Sequence, residues 1–296
     1  MLYNNLSGYF RKKYGTRLKK ICIDGGFSCP NRDGKVGTGG CIYCGERGAG
    51  EHISKACSIK HQVENALKNA KADDKFIAYF QNFTNTYADI DTLKKRYDDA
   101  LIDERIVALA IGTRPDCIDE DVARLISGYK KKLDVWVELG LQTSNDATAK
   151  IINRGYDRSV FENALKILNA YEIDTVAHMI IGLPEETEHD AIGTAKYISS
   201  LNVWGVKIHS IYVMEGTKLA EMYREKRYTP PTLSEYAKTA AECIGHISDS
   251  IIVHRITGDC PRDLLVAPEW NKNKNEIISE ITSYMKKNNI RQGSLL

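Results

Sequence analysis

What this 296-residue chain lacks narrows the field first. No apolar run approaches the roughly eighteen residues that a transmembrane helix requires. The N-terminal stretch MLYNNLSGYFRKKYG has no hydrophobic segment of the signal-peptide kind, so the chain reads as a cytoplasmic protein with no membrane partner. A dominant charge is absent too: 41 Lys and Arg stand against 39 Asp and Glu, and a net charge of +2 is no general nucleic-acid footprint. Internal repeats and low-complexity tracts are missing. Eight cysteines are too sparse for a disulfide scaffold. Five of them, Cys22, Cys57, Cys117, Cys243 and Cys260, are scattered and read as ordinary semi-buried thiols.

The other three are gathered in ICIDGGFSCPNRDGKVGTGGCIYC, residues 21–44. Cys41 and Cys44 form a C-x-x-C enclosing Tyr43, and a polar, glycine-rich loop of eleven residues separates Cys29 from Cys41. Gly34, Gly37, Gly39 and Gly40 allow tight backbone folding, so Cys29 can return beside the pair. Three thiolates facing one centre suit a [4Fe-4S] cluster with one iron free of protein, or a zinc ion with a fourth ligand. The count favours iron, since no C-x-x-H or second C-x-x-C follows and His52 is the only histidine close behind.

Short β-rich runs alternate with helix-period runs, the pattern of a parallel α/β fold. Six strands are predicted: 20–24, 76–80, 106–111, 134–139, 175–181 and 206–212. Helical patterns lie between them at Val63/Ala66/Leu67, Leu93/Tyr97/Ala100/Leu101 (with Asp91 as N-cap), Val122/Leu125/Ile126, Val160/Ala164/Leu165/Leu168 and Ile192/Ala195/Ile198. Periodicity alone does not separate an open sheet from a barrel. Polar, glycine-containing signals just after successive strands argue for the barrel. The expected organisation is a basic N-terminal arm at 1–19, a core at 20–228, and a small α+β extension at 229–296 containing a Pro-opened helix, a strand at IIVHR and a final helix.

C-x11-C-I-Y-C resembles the cluster motif of radical S-adenosylmethionine (SAM) enzymes, lengthened in its first gap. GFSCPNRDG…GTGGCIYC is similar to the YtqA/YhcC group, in which YtqA is also called MnmL, related to the Elongator catalytic subunit and oxygen-independent coproporphyrinogen oxidase branches. The resemblance implies a partial (β/α)6 TIM-like barrel, a [4Fe-4S] cluster on Cys29, Cys41 and Cys44, and bound SAM. In such enzymes the aromatic at Tyr43 precedes the last cysteine.

Around the cofactor, the turn after the second strand, Gln81-Asn82-Phe83-Thr84, stands where the family carries a GGE-like turn, which makes Gln81 and Thr84 candidates by position only. IGTRPD places Thr113 and Arg114 in the next turn. Glu138, Gly140 and Gln142 alternate along VWVELGLQ and so share a strand face; a buried carboxylate and carboxamide need partners, either a ligand ribose or a protein network. The pattern resembles the family's ribose-contacting strand. NRGY puts Arg154 where related families hold the SAM carboxylate, and IIGLP resembles their adenine-contacting strand end, with His178 in place of an aspartate. By chemistry alone a lone strand histidine such as His178 is more often a satisfied core residue than a ligand. His254, Arg255 and Asp259 form a polar cluster with no step assigned.

Residues 11–20 carry Arg11, Lys12, Lys13, Arg17, Lys19 and Lys20 and no acid. They are either a solvated face or an arm contacting RNA phosphates beside the active site. The resemblance implies tRNA as substrate, with conversion of a wobble-uridine carboxymethylaminomethyl group to aminomethyl, an electron donor such as flavodoxin or ferredoxin, and a partner tRNA methyltransferase for the product. Radical chemistry on a small metabolite or peptide, and a non-catalytic zinc protein, are the other readings.

Overall fold

A computed structural model describes residues 2–48 and 57–296; His52 lies outside them. All six predicted strands form: β1 (Leu18–Ile23), β2 (Lys75–Phe80), β3 (Ile106–Thr113), β4 (Asp134–Gln142), β5 (Asp174–Ile181) and β6 (Gly205–Ser210). Helix α1 (Leu6–Tyr14) precedes them, and α2 (Ile59–Leu67), α3 (Ile90–Ala100), α4 (Glu120–Tyr129), α5 (Asp146–Ile151), α6 (Arg158–Ala170) and α7 (Glu188–Ser199) run between them. Then come β7 (Val213–Met214), α8 (Lys218–Arg224), α9 (Leu233–Gly245), β8 (Ile252–Arg255), β9 (Leu265–Ala267) and α10 (Lys274–Lys287).

The main sheet has seven strands in the order β1-β2-β3-β4-β5-β6-β8, every neighbouring pair parallel. It curls into a partial TIM-like barrel with helices outside. The seventh strand, β8, comes from residues that the sequence suggested were a small extension. Its partner is β6, so the sheet continues into that stretch. Strands β7 and β9 pair separately and antiparallel.

Local chemistry explains most boundaries and corrects two expectations. The side chain of Asp89 accepts from Thr92 N and caps α3; Asp91 instead sits in the first turn, where its charge suits the helix dipole. Residues 6–14, expected as an arm, form α1, capped by Asn5 and ended by Gly15 at φ 71°. Helix α9 opens on a Thr232/Glu235 capping box.

Outside the sheet, Val63, Leu93, Tyr97, Val122, Ile126, Phe161 and Leu168 are buried against outward-facing Phe80, Leu109, Ile111, Val137 and Leu139. Each such side chain contributes about 1.5–3 kcal/mol on burial. Inside the barrel, α1 plugs the N-terminal end of the strands. Leu6 and Phe10 join Ile77, Ala108, Ala110, Trp136 and Val176 in one buried cluster, and Phe10 lies 6.0 Å from the Trp136 ring. Tyr14 donates to Asp134, the first residue of β4, at 2.8 Å, and Lys13 pairs with the same carboxylate at 2.5 Å.

Candidate functional site

At the opposite end, beyond the C-terminal ends of the strands, one cavity gathers the residues singled out in the sequence. Cys29, Cys41, Cys44, Tyr43, Gln81, Thr84, Thr113, Glu138, Gln142, Arg154 and His178 all line it. The basic residues do not. Lys13 is bound to Asp134, and Lys19 to Asp74 just ahead of β2 at 2.6 Å. The Nζ of Lys20 lies 5.3 Å over the Tyr79 ring inside the barrel. Arg11 and Lys12 on α1 and Arg17 ahead of β1 belong with Lys13 and Lys19 to the N-terminal end, while Lys20 alone reaches toward Glu138 and Arg255, so the expectation of a basic arm beside the active site is not met. Charge density was visible in the sequence; the end of the barrel that carries it was a tertiary fact.

The cysteine loop is pinned to the turn after β4. Asn31 donates to Asn153 O at 2.6 Å, Asn153 donates to Gly40 O at 2.7 Å, and Ile42 N donates to Ile152 O at 3.1 Å. Gly40, at φ 77°, is held where a Cβ would stand 2.9 Å from Arg32 Nε. Gly37 differs from its neighbours: its φ is not positive, and it is required because a Cβ would meet Asn31 Oδ1 at 2.5 Å. Arg32 donates to the carbonyls of Cys44 and Gly45 at 3.1 and 2.5 Å, closing the loop around the sulfurs. A hydrogen bond from Cys44 brings the Cys41 thiol down to about 7 against burial, helped by Arg114, Tyr43 and Asn31.

The turn after β2 is also built for its position. Phe83 adopts φ 56°, and Thr84 N donates to Ser28 O at 3.1 Å, tying this turn to the cysteine loop. The Thr84 hydroxyl is buried without a hydrogen-bond partner. On β4 the Glu138, Gly140 and Gln142 side of the strand does face the cavity, but the ladder to β5 is irregular between Gly140 and Gln142, and Gln142 sits at φ 66°.

Four of the expected ligand contacts, Thr113, Glu138, Arg154 and His178, are engaged by the protein itself. Glu138, 1% exposed, accepts from Tyr79 at 2.7 Å and Trp136 at 3.1 Å, lies 3.0 Å from His178 Nε2, and pairs with Lys207. Burial opposes its charge, yet Lys207, His178 and Lys20 hold it well below the usual carboxylate range. The protein network weighed for this residue is therefore present. Arg154 donates to the carbonyls of Leu141, Thr143 (2.8 Å) and Tyr156 (3.0 Å), and to Asp146 at 3.1 Å. It braces the end of β4. Arg114, paired with Asp116, and Arg154 each lie 4.7 Å from the Tyr156 ring.

Sequence reasoning missed Lys207, His209 and Tyr212. Lys207 and His209 alternate along VKIHS with Val206 and Ile208, which are fully buried in the outer core. That alternation was the available signal: with the apolar set outside, the polar set must point into the barrel.

A model of the Radical SAM superfamily matches residues 33–198, and one of the Radical_SAM C-terminal domain matches residues 203–287. YtqA of Bacillus subtilis is 35% identical over 98% of this chain and 92% of its own. The chain belongs to the radical SAM superfamily. A tRNA uridine(34) acetyltransferase of Dehalococcoides mccartyi is 27% identical over 53% of this radical SAM chain and 34% of its own. Among solved structures, the archaeal Methanocaldococcus infernus Elp3 superposes with a TM-score of 0.66 at 24% identity, over 79% of this chain and 59% of that one. At that identity the likeness speaks for the fold.

The donor set fits the groups that radical SAM proteins employ. Three cysteine sulfurs border one cavity, beside a buried hydroxyl at Thr84 that lacks a partner. Among the described residues no three His, Cys, Asp or Glu side chains converge tightly enough for a single metal ion. Nor is any helix among them long and apolar enough to cross a membrane.

Proposed function

We propose that this radical SAM enzyme binds a [4Fe-4S] cluster through Cys29, Cys41 and Cys44, and SAM beside it, and that it acts on tRNA, converting a wobble-uridine carboxymethylaminomethyl group to aminomethyl. The observation that carries the first part is the opening of all three cysteines onto the cavity lined by Gln81, Thr84, Thr113 and Gln142. Thiolates on separate irons of a cluster need no common point, whereas four zinc ligands do. When bound, the reduced cluster and SAM would supply a 5′-deoxyadenosyl radical able to abstract a substrate hydrogen.

The chain's own residues do the positioning. Asn31 and Arg32 hold the cysteine loop, Arg154 fixes the end of β4, and the α1 plug closes the inner end of the barrel to water. The Thr84 hydroxyl is available to a ligand polar group. What supports tRNA is the relation to uridine(34)-modifying proteins and the open end of the barrel, where an unstacked base could enter. The basic segment at the far end plays no part in this reading. A flavodoxin- or ferredoxin-type donor would supply the electron and a cytoplasmic tRNA methyltransferase would take the product.

The test is 5′-deoxyadenosine formation by anaerobically reconstituted protein with and without tRNA carrying the carboxymethylaminomethyl group, with iron and sulfide measured in parallel. Formation rising with that tRNA, matched by loss of the carboxymethyl mass and abolished in Cys44→Ala together with most bound iron, is the expected result. Formation indifferent to tRNA removes the substrate assignment. No formation from protein shown to hold iron and sulfide removes the catalytic one.

A further inference from the structure

The cavity has two walls. One is made by the cysteine loop and the ends of β2, β3 and β4. The other is made by β5, β6 and β8, which present His178, His209 and Arg255, with Tyr212 just past β6. Strand register builds this second wall: His178 on β5 pairs with Lys207 on β6, and Lys207 with Arg255 on β8. Paired residues on neighbouring parallel strands share a face, so His178, Lys207 and Arg255 form one row, and His209, two residues past Lys207, stands above it.

The acids facing this row do not balance it. Glu138 is fully engaged below by Lys207, Tyr79, Trp136 and His178. Asp259 is shared: Lys274 holds it at 2.8 Å, and the Arg255 guanidinium lies 3.5 Å away. His209 Nε2 is buried with no partner, an arrangement that costs about 1–3 kcal/mol unless a ligand supplies one. Burial is the largest cause lowering both His178 and His209 below the ordinary histidine range; the charges of Lys207 and Arg255 add to it on both, the His178 ring adds to it on His209, and Glu138 opposes it.

We propose that the β5/β6/β8 wall anchors the substrate and that it takes a carboxylate, with the Arg255 fork on its two oxygens and His209 donating one further hydrogen bond. A guanidinium fork matches the two oxygens of a carboxylate. Asp259 partly offsets Arg255, and Glu138 offsets Lys207, so even with Lys20 beside Glu138 the surplus positive charge is small and suits a monoanion better than a phosphate dianion. The inference rests on the tRNA reading only for what carries the carboxylate: under that reading it belongs to the carboxymethylaminomethyl group, while a free small acid would present the same chemistry.

Two arms test it on the full chain. In the first, imidazole NMR signals are followed as acetate, glycine, inorganic phosphate or ethylamine is added. Acetate and glycine should shift His209, ethylamine should not, and Arg255→Gln should abolish the shift while Arg255→Lys weakens it; His209→Asn keeps the wall testable through His178 if either arginine variant folds poorly. No shift with carboxylates, a stronger response to phosphate, or a shift unchanged in Arg255→Gln overturns the proposal. In the second arm, affinities are compared for tRNA with carboxymethylaminomethyl or aminomethyl at the wobble uridine. The intact protein should favour the former about tenfold or more, a difference of about 1.4 kcal/mol, and Arg255→Gln should bring the ratio near one. Equal affinities alongside intact NMR shifts would sink the tRNA reading and leave the carboxylate wall standing, with a small acid as its ligand.

Discussion

The two ends of the barrel are made of opposite materials. At the N-terminal ends of the strands, Phe10, Ile77, Trp136 and Val176 pack around a helix that closes the interior. At the C-terminal ends, the cavity is bordered by cysteines, arginines, histidines and glycines. The nine residues of β4 reach from Asp134, under α1, to Gln142, at the cavity, about 25–30 Å apart. Apolar contacts with no ligand to wait for supply stability at one end. Polar groups occupy the other, and two of them, the Thr84 hydroxyl and His209 Nε2, are buried without a hydrogen-bond partner. Between the two lies the buried layer of Glu138 and Lys207, which belongs to both.

The largest effect that tests this division comes from the plug. Phe10 is 2% exposed, and Phe10→Ala should lower unfolding stability by about 3–5 kcal/mol, through lost transfer free energy and the cavity left behind. Denaturant unfolding measures the loss. Iron bound per folded chain should stay as in the parent, because the cysteine loop is anchored at the other end; loss of iron from the folded fraction would break the separation.

The middle layer gives the next effect. Lys207→Met leaves the buried Glu138 carboxylate with Tyr79, Trp136 and His178 but no cation bonded to it, and about 3 kcal/mol should be lost. Adding Glu138→Gln should recover part of it, since no buried charge then remains. The pH dependence has a definite sign. The folded Glu138 carboxyl is held below its unfolded value, so its contribution is present above the unfolded pKa and lost as pH falls through the folded one. The acid limb of the stability curve should therefore be shallower in the double variant, and an unchanged limb would mean that this pair does not shape acid unfolding.

How much of this was legible beforehand follows the same axis. Strands, helices and the cysteine loop are local patterns, and the wall that holds Cys29, Cys41, Gln81 and Gln142 could be assembled because each lies in a strand or in the loop that follows one, with its own polar signal. Its motif residues were easier to find than to assign: Arg154 was visible as a cation, but its carbonyl partners at Leu141 and Thr143 are made by the irregular turn after β4. The opposite wall was hidden because Lys207 and His209 look like ordinary alternation until the curl of the sheet decides which side is inside. Strand β8 was seen as a strand but not as a member of the sheet, since pairing with β6 spans some forty residues containing β7, α8 and α9. The basic segment failed for a similar reason. Nothing in its composition told which end of the barrel α1 would close.

A smaller effect sharpens the contrast from the cavity end. Glu186, in the turn after β5, is bonded by the Thr143 hydroxyl, and burial raises its carboxyl to about 7, with the Asp190 charge adding to the rise. A carboxyl raised on folding binds its proton more tightly in the folded chain, so its stabilising contribution is full below about 4.5 and disappears as pH climbs through about 7. Above that, the chain carries a partly buried charge that no cation neutralises among the partners named for it. Glu186→Gln keeps an acceptor for Thr143 and removes the charge. The variant should match the parent near pH 4.5 and exceed it by about 1–2 kcal/mol at pH 8, less than the full shift would give at about 1.4 kcal/mol per pH unit because the group is partly solvated. Thermal unfolding of both proteins across that range checks the sign. A variant less stable at pH 8 would mean that the Glu186 charge is compensated, and that this end of the barrel gives up less stability than its unpartnered groups suggest.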